Sequence, residues 1–416
     1  MLIPSTCVFW AVLSNNVPAP LTNLNQWYML TYTLDNTGSS NNAKIYINGQ
    51  LAAQGSVTGL NAFETPTWGS CCTSSGSTQP LGGKTDETSF WQRVLAPSEI
   101  GQLYNNGHGL SLLPAVPGTV AGTIQVGNSP IGIGVNTQTN KIYVGNQNDN
   151  TISIVDANTN SVIKTIAVGA RPLGVDVNTQ TNMIYVANFN SGTVSVINGV
   201  TDTVVNTVTV GTSPVGVGVN PVTNKIYVGN FNSGTVSVID GTTNNVVNTI
   251  STGFGTSGIG VNTATNKIYA VNAQANGGGN PGTVSVIDGS NDSVLSTIVV
   301  GQNPQDVVVN PTTNKIYVTN QFSNTISVID GTTNSIASTI LTSGGPGEMG
   351  INAVTNKIYY PTNSGTIQVI DGNTNNIVNT ISVGFGVPGF VATNTNTNKV
   401  YVGDQNSNIV YVINGF

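Results

Sequence analysis

The chain has 416 residues, too many for one ordinary domain, and only 7% of them are charged, against roughly a quarter in an average soluble protein. A net charge of −6 with 11 basic residues leaves no polycationic surface, which excludes nucleic acid as a partner. One histidine and three cysteines (Cys7, Cys71 and Cys72) are too few for a zinc cluster, and no apolar run is long enough to span a membrane.

Residues 1–13 are apolar but lack a basic start and a clear cleavage site. They read as the opening of a domain cut short rather than as a leader peptide. Residues 27–33 are rich in aromatic and β-branched side chains and predict a strand, followed by a polar turn over 35–42. Residues 44–47 predict the next strand, and Asn48-Gly49 is a strong hairpin signal leading into 50–52. Residues 97–104 predict a short helix, with Pro97 in its first turn and Ile100, Leu103 and Tyr104 on one face.

The Trp27-Tyr28 strand, the run Lys44-Ile45-Tyr46-Ile47-Asn48-Gly49, and Asp86 to Leu95 followed by Ser98-Glu99-Ile100 together resemble the second half of a laminin-G-like, concanavalin-type β-sandwich over about residues 20–112. The resemblance implies an incomplete jelly-roll sandwich over 1–113, whose front half is lost or supplied by another chain. It also implies glycan or protein binding, often with calcium, although no ligand residue carries over. Asp86 and Glu87 are expected to cap a turn and pair with Arg93. His108, between glycines, is expected to be exposed and inert. Residues 114–118, with Pro114 and Pro117, form a stiff linker.

From residue 119 one phrase recurs seven times. Its tyrosine stands at Tyr143, Tyr185, Tyr227, Tyr269, Tyr317, Tyr359 and Tyr401, with gaps of 42, 42, 42, 48, 42 and 42 residues. A period in the forties holding four short strands marks a propeller blade. In the third copy strand A is 214–219, B is 225–228, C is 235–239 and D is 245–250, separated by Asn, Asp and Gly turns. The last copy stops after strand C, and an orphan D-like strand, 119–126, precedes the first copy. The orphan is expected to complete the last blade, giving an all-β protein with a seven-bladed β-propeller over 119–416 and no open edge at the seam.

The pattern Val-Gly-x-x-Pro, then Asn-x-x-Thr-Asn-Lys-Ile-Tyr-Val and Val-Ile-Asp, resembles the YVTN-type propeller repeats of microbial surface-layer and envelope proteins. The literal tetrad is Tyr317-Val318-Thr319-Asn320. The resemblance implies an extracellular or cell-surface protein used in adhesion, surface-layer assembly or recognition, with a surface glycan, a protein or copies of itself as partner, and no enzymatic activity. The propeller has no His, Cys or Trp, which weighs against an enzyme of the lyase or oxidoreductase type; that enzyme and an intracellular scaffold are the alternatives.

The lysine that opens strand B faces the aspartate that closes strand C. Cross-strand ion pairs are therefore expected at Lys141–Asp156, Lys225–Asp240, Lys267–Asp288, Lys315–Asp330 and Lys357–Asp371. Asn occupies both ends of every A–B turn, as Asn220 and Asn224 do, and is read as a turn former.

Functional positions are sought on the face that carries the B–C and D–A loops. Two residues past the strand-A proline, glycine gives way to Asp306, Glu348 and Phe390. Asp306 and Glu348, in adjacent blades, are either solvated acids at the channel mouth or a Ca²⁺ site. Phe189, Phe231 and Phe322 between strands B and C, and Phe254 and Phe385 between D and A, are candidate partner contacts. The extra six residues of the fourth copy lie within 273–281.

Overall fold

The computed structural model forms two compact units, Met1–Ala115 and Val116–Phe416. It describes residues 5–13, 27–34, 43–48, 50–55, 83–91, 97 and 100 of the first unit, and the second unit apart from 274–279, 363, 385 and 387.

In the first unit β1 (Ser5–Leu13), β2 (Trp27–Leu34), β3 (Ala43–Ile47), β4 (Gln50–Gly55) and β5 (Gly83–Trp91) form one antiparallel sheet in the order β4-β3-β2-β1-β5. The apolar opening of the chain is thus a strand inside the sheet, with Phe9 opposite Leu30 on one side and Thr88 on the other. Asn48 takes a φ of 51°, the left-handed conformation an Asn-Gly hairpin demands. Pro97 and Ile100 have helical backbone. The remainder of the expected helix, the turn over 35–42, Cys71, Cys72 and His108 lie outside the described residues.

The second unit is seven four-stranded antiparallel sheets, over 130–167, 172–209, 214–251, 256–302, 304–341, 350–382 and 388–414, the last completed by β6 (Val120–Gln125). Strand A of each sheet packs on strand A of the next, and the seventh packs on the first, so the ring closes. Strand-B residues alternate between the two neighbouring blades, as period-2 geometry requires. Ile226 joins Tyr185, Val194 and Val196 of the second blade, and Tyr227 joins Ile259, Ile268 and Ala270 of the fourth. The seam has the same construction, with Ile124, Val410 and Val412 packed against Ile133, Ile142 and Val144.

The seam strand pairs as expected. Ile409 faces Gln125 and Val412 faces Gly122. Gly118 N–H donates to Asn414 O at 2.8 Å, Asn414 N–H to Thr119 O at 2.9 Å, and Asn414 Nδ2 to Thr119 Oγ1 at 2.8 Å. The last residues of the expected linker are therefore built into the propeller.

The paired asparagines do more than shape turns. The Oδ1 of Asn220 accepts from Val222 N–H and Thr223 N–H, closing the A–B turn. That leaves its Nδ2 as a donor in a fully buried side chain, which must find an acceptor. The acceptor is Asn266 Oδ1 of the next blade, at 2.8 Å. The same bond runs from Asn136 to Asn182, Asn178 to Asn224, Asn262 to Asn314, Asn310 to Asn356, Asn352 to Asn398, and across the seam from Asn394 to Asn140, all within 2.6–2.9 Å. The accepting asparagines hold φ between 51° and 55° at all seven positions, a conformation Asn tolerates better than most residues. The first site requires an amide, since aspartate there would lack the donor, and the second requires an acceptor, which glycine would lack.

The expected ion pairs need correcting. Each lysine does lie opposite its aspartate in the ladder, as Lys225 does Asp240. In four of the five, however, the ammonium reaches over to the C–D turn of the next blade. Lys141 bonds Asp202 at 2.8 Å and Lys225 bonds Asp292 at 3.0 Å. Lys267 takes Gly331 O and Asn334 Oδ1, and Lys315 takes Gly372 O. Asp156, Asp240, Asp288 and Asp330 instead accept N–H groups of their own C–D turns, such as Thr242 N–H and Thr243 N–H onto Asp240. Hydrogen bonds to Thr243 and Thr242 hold the Asp240 carboxyl below the usual range. Of the five expected pairs only Lys357–Asp371 forms, at 2.7 Å. The reason is the seam: the seventh blade takes its strand D from β6 and so has no C–D turn, and Lys357 turns back to its own blade. Lys399 also stays within its own blade, contacting Asn414, although the first blade beside it does have a C–D turn.

Removing 119–126 exposes the edge Ile409–Asn414, and a thermal melt should then show a lower midpoint and a broader transition. Asn220→Ala and Asn266→Gly, the latter keeping the left-handed backbone, should each cost about 1–3 kcal/mol by urea unfolding. The double variant should show a coupling of ~1 kcal/mol, and strictly additive losses would mean that the pair does not interact.

Candidate functional site

Strand A of each blade is the innermost, so its side chains decide the channel. In the first four blades glycine lets neighbouring strands approach closely: a Cβ on Gly132 would lie 1.6 Å from Leu173 O, and one on Gly216 would lie 2.2 Å from Ser257 O. On the other side of the ring Asp306, Glu348 and Phe390 occupy this place. The sixth blade also departs from the repeat. Its strand A is only Gly350–Asn352, because the ladder stops at Tyr359, two residues before Pro361, which has no N–H to offer.

Asp306 is not a free acid at a rim. Its Oδ2 accepts Met349 N–H at 2.8 Å, tying the fifth blade to the sixth. Burial pushes its carboxyl up to about 7 against the opposing pull of the Met349 and Val307 amides, and the charge of Glu348 adds to the rise. Burial also raises Glu348. The sequence reading missed a counterpart. Asp176, where Gly134, Gly218 and Gly260 stand in other blades, accepts Val177 N–H and, from the third blade, Val219 N–H, both at 2.8 Å. Burial raises its carboxyl to about 6. Both acids satisfy N–H groups on strand-A edges that no further strand covers. Among the described residues no three His, Cys, Asp or Glu side chains gather at one point.

Glu348 and Asp306 therefore separate in role. Glu348 lines a cavity of about 290 Å³ at the channel mouth, on the B–C and D–A face, whereas Asp306 does not. The apolar wall is Ile131, Leu173, Val215 and Phe390, and the polar groups are Gln147, Arg171 and Gln405 beside Glu348. Arg171, Gln147 and Gln405 were not singled out from sequence. The available signal was that Arg171 is the propeller's only arginine.

The phenylalanines divide. Phe189 lies under the Arg171 guanidinium, whose Cζ is 4.8 Å from the ring centroid. Phe231 and Phe254 form an edge-on pair with centroids 5.8 Å apart. Phe254 keeps 43% and Phe322 52% of its surface exposed. Phe385 and most of the fourth blade's insertion lie outside the described residues.

Residues 9–101 match the family Laminin_G_3, described as the concanavalin A-like lectin/glucanases superfamily. The first unit thus contains a concanavalin-like domain, and the match takes in β1, ahead of the point at which the resemblance begins in the sequence. No curated protein matches the chain. A solved structure titled Kuenenia stuttgartiensis Hydrazine Synthase is similar, with a TM-score of 0.64 at 19% identity, over 74% of this chain and 99% of that one. At that identity the likeness concerns the fold. No helix among the described residues is long and apolar enough to cross a membrane.

The two channel acids generate a pH dependence. Their folded pKa values lie above the ordinary 3.8, so between about pH 4 and 7 the folded chain holds protons that the unfolded chain has released. Their contribution is complete below about pH 4 and is lost as pH rises through 6 to 7. The lowered carboxyls of Asp240, Asp288, Asp330 and Asp371 act oppositely and only below about pH 4. The melting temperature should therefore fall from pH 4.5 to 8. Asp306→Asn with Asp176→Asn should flatten that slope, since an amide oxygen still accepts the Met349 and Val219 N–H groups without titrating.

Proposed function

We propose that the chain is a noncatalytic recognition protein of the cell surface or extracellular medium, and that its ligand is a glycan engaged at the mouth of the propeller channel. The observation that carries this reading is the composition of that face. Exposed Phe254 and Phe322 stand in turns otherwise built from Gly, Gln, Ser and Asn, on the face that holds a cavity lined by both polar and apolar side chains. Aromatic faces pack against the C–H surface of sugars, and amide and carboxylate groups bond their hydroxyls.

Two further points favour it. The family matched by residues 9–101 carries lectins in its description, which suits a second glycan-binding module on the same chain. The repeat resembles those of microbial surface-layer and envelope proteins, which suits an extracellular place. Catalysis has less support: the described mouth offers an acid, an arginine and two amides but no nucleophile beside a base. The fold it shares with hydrazine synthase does not transmit that chemistry. A calcium ion held with the help of Glu348 is proposed only as an accessory to sugar binding.

A glycan array probed with the full chain, with calcium and with chelator, tests the reading. Binding to a defined set of glycans is expected, and Phe254→Ala with Phe322→Ala should weaken it by about tenfold. Binding untouched by both substitutions would move the site off this face. Binding only to proteins, or to copies of the chain itself, would reverse the ligand class.

A further inference from the structure

We infer that the channel mouth selects a sugar bearing a carboxylate, a uronic acid unit, with the Arg171 guanidinium as the group that grips it. The inference deepens the glycan reading and rests on it. Six of the propeller's seven lysines, from Lys141 to Lys399, open strand B at the opposite end of the blades, at the A–B and C–D turns. The seventh, Lys164, donates to Thr201 O on the outer rim. Arg171 is therefore the cation of this face.

It is also held in advance. Its N–H donates to Asn150 Oδ1 at 2.8 Å, and its carbonyl accepts Phe189 N–H at 2.9 Å. That fixes a φ of 57°, a left-handed turn conformation in which Ser129, Ser213 and Asn303 stand in other blades. A long cationic side chain has no backbone reason to occupy that slot. Its Nε donates to Gln147 Oε1 at 3.2 Å, and the guanidinium carbon lies over the Phe189 ring. Gln147 is anchored in turn by donating to Ser129 Oγ at 3.1 Å. No acceptor among the described residues takes the Nη hydrogens. A fork whose stem is already ordered loses little entropy on receiving a planar carboxylate with two parallel hydrogen bonds.

The remainder of the cavity suits the remainder of a sugar. About 290 Å³ lies at the small end of ligand pockets, room for one sugar unit of a chain that continues into solvent. Leu173 and Phe390 offer a surface for the ring's C–H face. Gln405 spends its Nε2 on Pro388 O, which leaves its Oε1 to accept a hydroxyl. Glu348, in the sixth blade, stands well around the ring from Arg171 in the second and can accept hydroxyls there. It also sets an orientation, since the ligand's carboxylate is drawn to Arg171 and repelled by Glu348.

Titration calorimetry of the full chain with a glucuronic acid disaccharide, with its neutral glucose counterpart and with a free α-amino acid tests this. The uronate should bind about tenfold or more tightly than the neutral sugar. Arg171→Gln should remove that preference, weakening the uronate by about tenfold more than the neutral sugar, and Arg171→Lys, which keeps the charge without the fork, should restore only part of it. Glu348→Gln should tighten the uronate by a few-fold through loss of a like charge. A melting temperature for each variant close to the parent's separates these effects from misfolding. Equal affinity for acidic and neutral sugars, or uronate binding unchanged in Arg171→Gln, would overturn the inference and leave the glycan reading standing. Preference for the amino acid over the uronate would overturn the assignment of ligand class. Failure of every sugar, acidic or neutral, would remove the glycan reading and this inference with it.

Discussion

A buried amide with one unused donor organises this propeller. The first asparagine of each A–B turn spends its oxygen on the turn and has nowhere to send its Nδ2 except to the neighbouring blade. Leaving that donor unmade inside the protein would cost more than the bond itself contributes. Each blade therefore requires a neighbour on a defined side, at a defined distance, presenting an acceptor in left-handed conformation. Seven such requirements are met only when the last bond, Asn394 to Asn140, closes the circle. Linear repeat arrays leave terminal units half-satisfied. Here no blade is terminal.

The same neighbour logic governs the layer above. Lys141 and Lys225 leave the aspartates opposite them and reach the next blade's C–D turn, and Tyr227 sends its hydroxyl toward the same Asp292. At the seam that turn is missing. Lys357 falls back on Asp371, and the Tyr359 hydroxyl is met by Phe416 N–H at 2.8 Å. One break in the repeat thus explains the departures of two residues. At the other end of the channel the repeat is broken differently: glycine stands at the innermost position of four blades and Asp306, Glu348 and Phe390 in the other three, and Glu348 and Phe390 make the mouth asymmetric.

Much of this was legible in the chain. The period, the four strands of a blade and the orphan strand before the first copy specify the ring and its closure, because strand patterning is local and the ends of a repeat can be counted. Contacts between blades were not legible in the same way. Asn220 meets a residue 46 positions on, and reading its turn alone accounts for only one of its two functions. The lysine partners were misjudged because ladder register predicts which residues face each other, not where a flexible four-carbon stem finds the better acceptor. The mouth was the least accessible. Ile131, Arg171, Val215, Glu348 and Gln405 come from five blades and share no linear motif. Asp176 and Arg171 were visible only as departures from the repeat. In the first unit the Asn48 turn and strands β2 and β3 were readable, while the place of β1 inside the sheet was not, since an apolar run alone does not declare its partners.

Native-state hydrogen exchange on the A–B turn amides tests the closed amide ring most directly. If the ring is closed by its buried side chains, Gln138 and Thr139 of the first blade and Asn396 and Thr397 of the seventh should be protected as strongly as Val222 and Thr223 of the third, and all should open together. Amides of the first and seventh blades that exchange orders of magnitude faster than those of the third would show an array that frays from its ends, and would contradict the account.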